Sequence, residues 1–159
     1  MRIGFGYDIH PLVTGRPLIL GGVVIPFEKG LSGHSDADVL SHAIGDALLG
    51  AVAMGDLGEH FPDTDPAYRG ISSLVLLGMI KKKLYERNYE IVNIDSTIVA
   101  EAPKLFSFRK IMIEKIAEVL DLDEKNVSIK ATTNEKFDAT GRGEAIAAYA
   151  VVLLRETQK

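Results

Sequence analysis

Three of the four histidines in this chain lie in two short segments that also carry aspartates. Asp8 and His10 are two residues apart, so on an extended strand both side chains point to the same face. His42 lies in a second segment that reads as a helix. One carboxylate and two imidazoles suit Zn²⁺, and three protein ligands leave a fourth position open, as in catalytic zinc sites. The residue types and their spacing therefore predict a metal site.

Two further aspartates lie one helical turn on either side of His42. Asp46 is predicted to orient His42 through the ring nitrogen that does not bind the metal, as carboxylates near metal-bound histidines commonly do. Asp38 has two open interpretations, which are support of the metal ligands and completion of the helix cap.

His34 and Ser35 stand where a loop enters this helix. Backbone N–H groups and the positive end of the helix dipole make such a place suitable for a phosphate. Ser35 is equally suited to be an ordinary N-cap, with Asp38 as its partner three residues later. His34 is also a candidate for the fourth metal ligand.

Polar residues form two more candidate sites. The segment 131–136, with Thr132, Thr133 and Glu135, has hydroxyl and carboxylate oxygens that suit phosphates and a hard cation such as Mg²⁺. Its alternative interpretation is a polar turn. In the long loop 54–70, Asp56, Asp63 and Asp65 are suited to bind sugar or polyol hydroxyls, or to cap the loop itself.

The elements that must position these residues follow from hydrophobic periodicity and turn signals. Strands are predicted at 2–8, 90–100 and 127–133, and a hairpin at 17–26 around Gly21 and Gly22. Helices are predicted at 36–53, at 72–87 and from Pro103 to Leu120. The segment 144–155 fits either a helix or a buried strand. This order predicts a mixed α/β sandwich of two layers.

Composition narrows the class of protein. A length of 159 residues predicts a single domain covering 1–159. A net charge of −4 without a basic stripe argues against a nucleic-acid partner. No cysteine is present, so metal ligands must be nitrogen or oxygen. No apolar run is long enough to span a membrane and no targeting segment is evident, so we expect a cytoplasmic protein with no membrane partner.

Several motifs in order resemble the 2-C-methyl-D-erythritol 2,4-cyclodiphosphate synthase family, over nearly the whole chain. The matching segments are 2–10, 33–42, 46–51, 55–58, 61–66, 102–104, 132–136 and 140–144. One departure is Phe137-Asp138-Ala139, where relatives often carry an apolar-Gly-aromatic stretch. The aromatic residue that would line a central channel is therefore displaced or absent.

The resemblance implies a ferredoxin-like α/β sandwich with a mixed sheet and helices on one face. It also implies a homotrimer with active sites between neighbouring subunits, and it makes the segment 144–155 a strand. By the same likeness, Asp8, His10 and His42 bind one Zn²⁺ per subunit, and Glu135 helps to hold Mg²⁺ or Mn²⁺ across a diphosphate.

The substrate contacts that the resemblance implies fall into three groups. Ala100, Pro103, Lys104 and Leu105 resemble the cytidine pocket. Phosphate contacts fall on Thr132 and Thr133, and Arg142 lies in a motif that matches the substrate-binding region. Asp56 and Gly58 correspond to the ribose site, whereas His34, Ser35 and Asp63 correspond to the site of the methylerythritol phosphate.

The implied reaction is a metal-assisted intramolecular phosphoryl transfer by a CMP-releasing lyase of the non-mevalonate isoprenoid pathway. The substrate is 4-diphosphocytidyl-2-C-methyl-D-erythritol 2-phosphate, and the products are the 2,4-cyclodiphosphate and CMP. No acid or base residue is assigned, because the attacking phosphate is already ionised near neutral pH. Two alternatives remain at this point, a metal-dependent phosphoesterase and a non-catalytic metal-stabilised trimer that binds an isoprenoid ligand.

Overall fold

The computed structural model describes residues 1–157 and contains a five-stranded mixed sheet with helices packed against it. The strands are β1 (Arg2–Thr14), β2 (Leu18–Leu20), β3 (Val23–Ile25), β4 (Lys29–Leu31), β5 (Tyr89–Val99), β6 (Val127–Thr132) and β7 (Ala145–Glu156). The helices are α1 (Val39–Ala51), α2 (Leu57–His60), α3 (Ser73–Glu86), α4 (Arg109–Leu120) and α5 (Asp138–Gly141). The mixed α/β fold predicted from the sequence is confirmed.

The large sheet has the strand order β4-β1-β7-β5-β6. β5 and β6 are parallel, and the other neighbours are antiparallel. β1 changes partner along its length, because Arg2–Pro11 pairs with β7 and Leu12–Thr14 pairs with β4. The strand predicted at 2–8 is therefore longer than expected. The ambiguous segment 144–155 is confirmed as a strand, β7.

β2 and β3 form the predicted hairpin apart from the large sheet. Its turn residues Gly21 and Gly22 have φ angles of +55° and +70°. Positive φ at both central positions is the geometry of a type I′ turn, which favours glycine.

Helix α1 starts later than predicted, and its N-cap is Asp38 rather than Ser35. Ala37 has a φ of +57°, which no helix accommodates, and the Asp38 carboxylate accepts the N–H of Ser41. The third predicted helix also starts late, because Pro103 lies in a loop ahead of a 3₁₀ turn at Phe106–Phe108.

Alternate residues of β1 face opposite sides of the sheet. Gly4 and Gly6 are buried under α1, whereas the side chains at Ile3, Phe5 and Tyr7 are exposed on the other side. A Cβ built on Gly6 would lie 1.9 Å from the carbonyl oxygen of Ala43, so the helix backbone touches the strand directly. This close approach sets the distance between the metal-binding ends of β1 and α1.

None of the helices in residues 1–157 combines the length and the apolar character that a membrane crossing needs.

Candidate metal centre and binding cavities

Asp8 and His10 on β1 meet His42 from the first turns of α1, as the sequence spacing predicted. Asp8 Oδ2 lies 2.8 Å from His10 Nε2 and 3.0 Å from His42 Nδ1. The two ring nitrogens are 3.2 Å apart. Ligand atoms of tetrahedral zinc with bonds of ~2.0–2.1 Å are separated by roughly 3.3 Å. The triangle therefore matches one face of a tetrahedron, and the three residues fit a divalent metal ion.

Charge and hydrogen bonding hold the three side chains of the triad together. Burial acts to raise the pKa of Asp8, but hydrogen bonds and charge from His10 and His42 outweigh it and hold that pKa well below its ordinary value. For His10, burial acts to lower the pKa, yet the hydrogen bond and charge of Asp8 raise it overall. Asp8 is thus an ionised donor near neutral pH, which is the state a metal ligand needs.

The His10 ring is oriented by the backbone. Its Nδ1 lies 2.6 Å from the carbonyl oxygen of Ser32. Only a protonated nitrogen makes a hydrogen bond to a carbonyl oxygen, so Nδ1 carries hydrogen and donates it. In the neutral ring Nε2 is then left with its lone pair facing the triad, ready to bind a metal.

The side chains of the two aspartates beside His42 accept hydrogen bonds from other residues and not from the His42 ring. Asp46 Oδ1 accepts the backbone N–H of Leu57 at 2.8 Å. The ring nitrogen of His42 that points away from the triad contacts the hydroxyls of Ser35 and Ser73 instead, so the predicted hydrogen bond to Asp46 is wrong. Asp38 is fully buried and accepts from the backbone of Gly21, Gly22 and Ser41 and from the Ser41 hydroxyl. It ties the β2–β3 turn to the start of α1 and makes no hydrogen bond to a metal-ligand side chain. Of its two interpretations, the structure therefore supports the helix cap.

A cavity opens directly beside the triad. Its wall is formed by His10, His42 and nine further residues, which come from the loops around α1 and α2, from α2 itself and from α3. Four of the predicted substrate residues share it, namely His34, Ser35, Gly58 and Asp63. Asp56 is the exposed N-cap of α2 and accepts the N–H of Glu59. His34 Nε2 lies 3.2 Å from the carbonyl oxygen of Asp65.

A second cavity lies at the ends of β5 and β6, where these parallel strands finish side by side. The predicted cytidine and phosphate residues line it together: Ala100, Pro103, Lys104, Leu105, Thr132 and Thr133. Arg109 lies over the Phe106 ring at its rim, 4.7 Å from the centroid. The two cavities share no lining residue in the described chain, so the predicted substrate residues that line them lie at two separate places.

Besides Asp56, two residues predicted to bind the second cation or the substrate line neither cavity. Glu135, with a φ of +49°, accepts a hydrogen bond from the Thr133 hydroxyl at 3.1 Å, beside the second cavity. Arg142 is exposed and forms a two-pronged ion pair with Glu144, each contact 3.0 Å long. Their roles with a metal or a substrate stay predictions.

Four residues of these sites were not found from the sequence. Asp36 accepts a hydrogen bond from Ser73, and the Ser73 hydroxyl also contacts the His42 ring. Arg16 donates to the carbonyl oxygens of Gly33 and Ser35, on both sides of His34. Glu101 lines the second cavity with a buried Oε2 that has no hydrogen-bond partner among the described residues. No local pattern marks these four residues, because their partners are distant in sequence or are backbone atoms.

Known proteins resemble this chain over almost its full length. A model of the YgbB family matches residues 1–155. A relative from Chloroherpeton thalassium, named 2-C-methyl-D-erythritol 2,4-cyclodiphosphate synthase, is 58% identical over 156 residues, which is 98% of this chain and 99% of the relative. A relative of the same name from Desulfatibacillum aliphaticivorans is 56% identical over 97% of this chain and 99% of its own length.

Solved structures agree with this match. The bifunctional IspDF from Campylobacter jejuni superposes with a TM-score of 0.95 at 43% identity, covering 99% of this chain and 42% of that one, so this chain spans less than half of the bifunctional protein. IspF from Plasmodium falciparum, solved as a CDP complex, gives a TM-score of 0.87 at 36% identity and covers 99% of this chain and 97% of that one. With the family model matched over residues 1–155, the chain belongs to the YgbB family.

Proposed function

We propose that this protein converts 4-diphosphocytidyl-2-C-methyl-D-erythritol 2-phosphate to 2-C-methyl-D-erythritol 2,4-cyclodiphosphate and CMP. The observation that carries the proposal is the Asp8–His10–His42 triangle of donor atoms, which opens into a cavity lined by His34 and Ser35. The named relatives and the CDP complex of a similar protein support the same substrate class. The enzyme is a lyase of isoprenoid precursor synthesis.

The residues of the two cavities divide the substrate between them in this proposal. The cavity with Lys104, Thr132 and Thr133 binds the cytidine end and its phosphates, to which the lysine offers charge and the threonines offer hydroxyls. Asp56 and Gly58 contact the ribose. The methylerythritol phosphate lies in the cavity beside the triad, against His34, Ser35 and Asp63.

We assign Zn²⁺ to Asp8, His10 and His42, because nitrogen and oxygen donors with an open fourth position suit that ion. Mg²⁺ or Mn²⁺ is assigned to Glu135, whose carboxylate lies next to Thr133. Bound metal ions supply positive charge and Lewis acidity to phosphate oxygens. The protein residues hold both ends of the substrate so that the 2-phosphate faces the β-phosphorus.

The reaction itself needs positioning more than proton transfer. A 2-phosphate oxygen attacks the β-phosphorus, a new P–O bond closes the eight-membered ring, and the bond from the β-phosphorus to the bridging oxygen breaks. That oxygen and its electron pair leave with CMP. Phosphoryl transfer of this kind depends on alignment and on neutralised charge. No residue is required as a general base, since the attacking phosphate is an anion near neutral pH.

We further propose that the working form is a homotrimer of ferredoxin-like subunits with each active site shared by two neighbours. The outer face of β1 and β7 carries exposed apolar side chains with no helix covering them: Ile3, Phe5, Tyr7, Ile9, Tyr149 and Val151. Tyr149 packs against both Phe5 and Tyr7, with ring centroids 6.3 and 5.0 Å apart. Large exposed apolar patches mark interaction surfaces. Apposed subunits would bring the cytidine half of one site to the metal half of the next.

Phosphorus NMR of the protein with the cytidyl substrate, Zn²⁺ and Mg²⁺ tests the function. We expect the substrate resonances to be replaced in step by those of CMP and a cyclic diphosphate. Release of inorganic phosphate would instead identify a metal-dependent phosphoesterase with water as the nucleophile. An unchanged spectrum with a loaded metal site would contradict the cyclisation.

A further inference from the structure

The two histidines of the triad present different ring nitrogens to the metal position. His10 presents Nε2, whereas His42 presents Nδ1. A neutral imidazole carries one hydrogen, so Nδ1 of His42 has a lone pair for a metal only when that hydrogen is on Nε2. Whatever holds the hydrogen on Nε2 therefore prepares this residue for metal binding.

Two hydroxyl oxygens lie within reach of His42 Nε2. The Ser73 oxygen is 2.9 Å away and the Ser35 oxygen is 3.1 Å away. Ser73 is 1% exposed, so its hydroxyl has protein partners rather than bulk water. Its environment thus decides in which direction the hydrogen bond to His42 points.

Asp36 fixes that direction. Ser73 donates its hydroxyl hydrogen to Asp36 Oδ1, and the Ser73 backbone N–H donates to Asp36 Oδ2 at 3.0 Å. A serine hydroxyl has a single hydrogen, and Ser73 uses it in the hydrogen bond to the carboxylate. Toward His42 the Ser73 oxygen is left only as an acceptor, so Nε2 must be the donor. Ser35 imposes no such direction, because its oxygen accepts the Ala37 N–H and its hydrogen has no fixed acceptor.

The opposite influence comes from within the triad. Asp8 Oδ2 lies 3.0 Å from His42 Nδ1 and favours a hydrogen on that nitrogen whenever no metal is present. Without the Asp36–Ser73 pair, the metal-free ring would turn its hydrogen toward Asp8 and hide the lone pair.

We propose that Asp36 and Ser73 are positioning residues that keep the hydrogen of His42 on Nε2 and thereby strengthen metal binding by Asp8, His10 and His42. This inference rests on the metal site of the proposed function. It replaces the orienting role that the sequence assigned to Asp46. Groups that orient metal-bound histidines typically alter metal affinity by about 10–100-fold when they are removed.

Zinc affinity measured by competition with a chromophoric chelator tests the proposal. We expect Ser73→Ala to weaken zinc binding by about 10–100-fold. Ser72→Ala is the matched control, since the adjacent Ser72 side chain makes no capping hydrogen bond at the start of α3, and it should bind zinc like the wild-type protein. Asp36→Asn is a second variant that keeps the shape of the side chain, and it should also weaken binding.

Long-range ¹H–¹⁵N NMR of the metal-free proteins gives a readout independent of activity. We expect the Nε2–H form of His42 in the wild-type protein and in Ser72→Ala, and a shift toward the Nδ1–H form in Ser73→Ala and Asp36→Asn. If Ser73→Ala and Asp36→Asn both kept wild-type zinc affinity and the wild-type tautomer, the positioning role of Asp36 and Ser73 would be overturned while the metal site would stand. If the wild-type protein bound no zinc, both the metal site and the positioning role of Asp36 and Ser73 would be overturned.

Discussion

The candidate metal centre contains two histidines that are held by hydrogen bonds at different ring nitrogens. The Ser32 carbonyl fixes His10 with Nε2 free, whereas the hydroxyl oxygens of Ser35 and Ser73 lie at Nε2 of His42 and leave Nδ1 facing Asp8. Residue type and spacing were enough to predict the three ligands. They were not enough to predict which nitrogen each histidine uses, because that depends on backbone carbonyls and on a serine 31 positions away.

Removing one ligand should remove the activity and leave the fold. We expect His42→Ala to lower the rate of CMP release by about 10³-fold or more, since a bound metal supplies several kcal/mol of stabilisation to developing charge. His60→Ala is the control, because His60 lines neither cavity and contacts the Met54 carbonyl oxygen. Turnover is measured with circular dichroism melting in parallel. Near-wild-type turnover of His42→Ala, or of the wild-type protein in chelating buffer, would contradict the role of the metal.

The metal-free protein should lose stability as pH rises above the ordinary histidine pKa of about 6.5. The pKa of His10 is raised in the folded state by Asp8, so its contribution is fully present below the ordinary histidine pKa of about 6.5 and is lost as pH rises through the folded value. Zinc must displace this proton, so zinc affinity should increase over the same range. Urea unfolding of chelated protein between pH 6 and 9 measures the first effect. Asp8→Asn should abolish the slope, and a slope that persists would refute this origin.

Among the elements, the contact between β1 and α1 controls the site most directly. Gly4 and Gly6 face the helix backbone, and the next two residues on that face of the strand are Asp8 and His10. On this one face of β1, residues that pack against the helix are therefore followed directly by the candidate metal ligands. His42 belongs to the helix that rests on those glycines, so the helix position and the triad geometry are set together.

A methyl group at Gly6 should disturb both packing and metal binding. We expect Gly6→Ala to destabilise the protein by about 3 kcal/mol, because its Cβ would overlap the Ala43 carbonyl and overpacked cores lose this much. Zinc affinity should fall with it, as α1 moves away from β1. Urea denaturation and chelator competition measure the two effects.

Gly50→Ala is the matched control on the exposed side of α1. No heavy atom lies within 4 Å of a Cβ at Gly50, so the substitution should stabilise the helix by about 0.5–1 kcal/mol. If Gly6→Ala were as stable as Gly50→Ala, direct contact between strand and helix would not set the metal geometry.

Elements with long, regular hydrophobic patterns were predicted well. Short elements, and helix ends that depend on the contacts of one side chain, were not. α3 and β5 fall within one residue of their predicted bounds at 72–87 and 90–100. The short elements β4, α2 and α5 were missed, because three or four residues carry no measurable periodicity. The start of α1 was misplaced because Ser35 and Asp38 are both good caps, and only the buried partners of Asp38 choose between them.

In the whole molecule, the predicted substrate residues are split between two cavities at separate places on the chain. The cavity beside the triad depends on the loops around α1, and the second cavity depends on the ends of β5 and β6. Sequence order alone cannot reveal this division. It is consistent with the proposed trimer, in which head-to-tail contacts pair unlike surfaces of neighbouring copies.

Hybrid trimers test whether the site is shared. His42→Ala and Lys104→Ala are each expected to be nearly inactive by themselves. If the halves come from different subunits, each cyclic trimer that contains both variants has both halves intact at one of its three sites, so about a third of the sites in the hybrids are active. Coexpression of differently tagged chains and purification through both tags isolates the hybrids, whose turnover is then measured. Hybrids that contain both variants and recover no activity would place each complete site within one chain.

The alternation along β1 also guards against a particular folding error. A slip of one residue in the pairing of β1 with β7 would exchange the two faces of the strand. Ile3, Phe5 and Tyr7 would then meet α1, where even a methyl group at Gly4 or Gly6 collides with the helix backbone. A misregistered chain therefore cannot close its core, and the same slip would turn the metal ligands outward. In the proposed trimer, a chain with the correct register would therefore have both the metal site and the apolar outer face, and a misregistered chain would have neither.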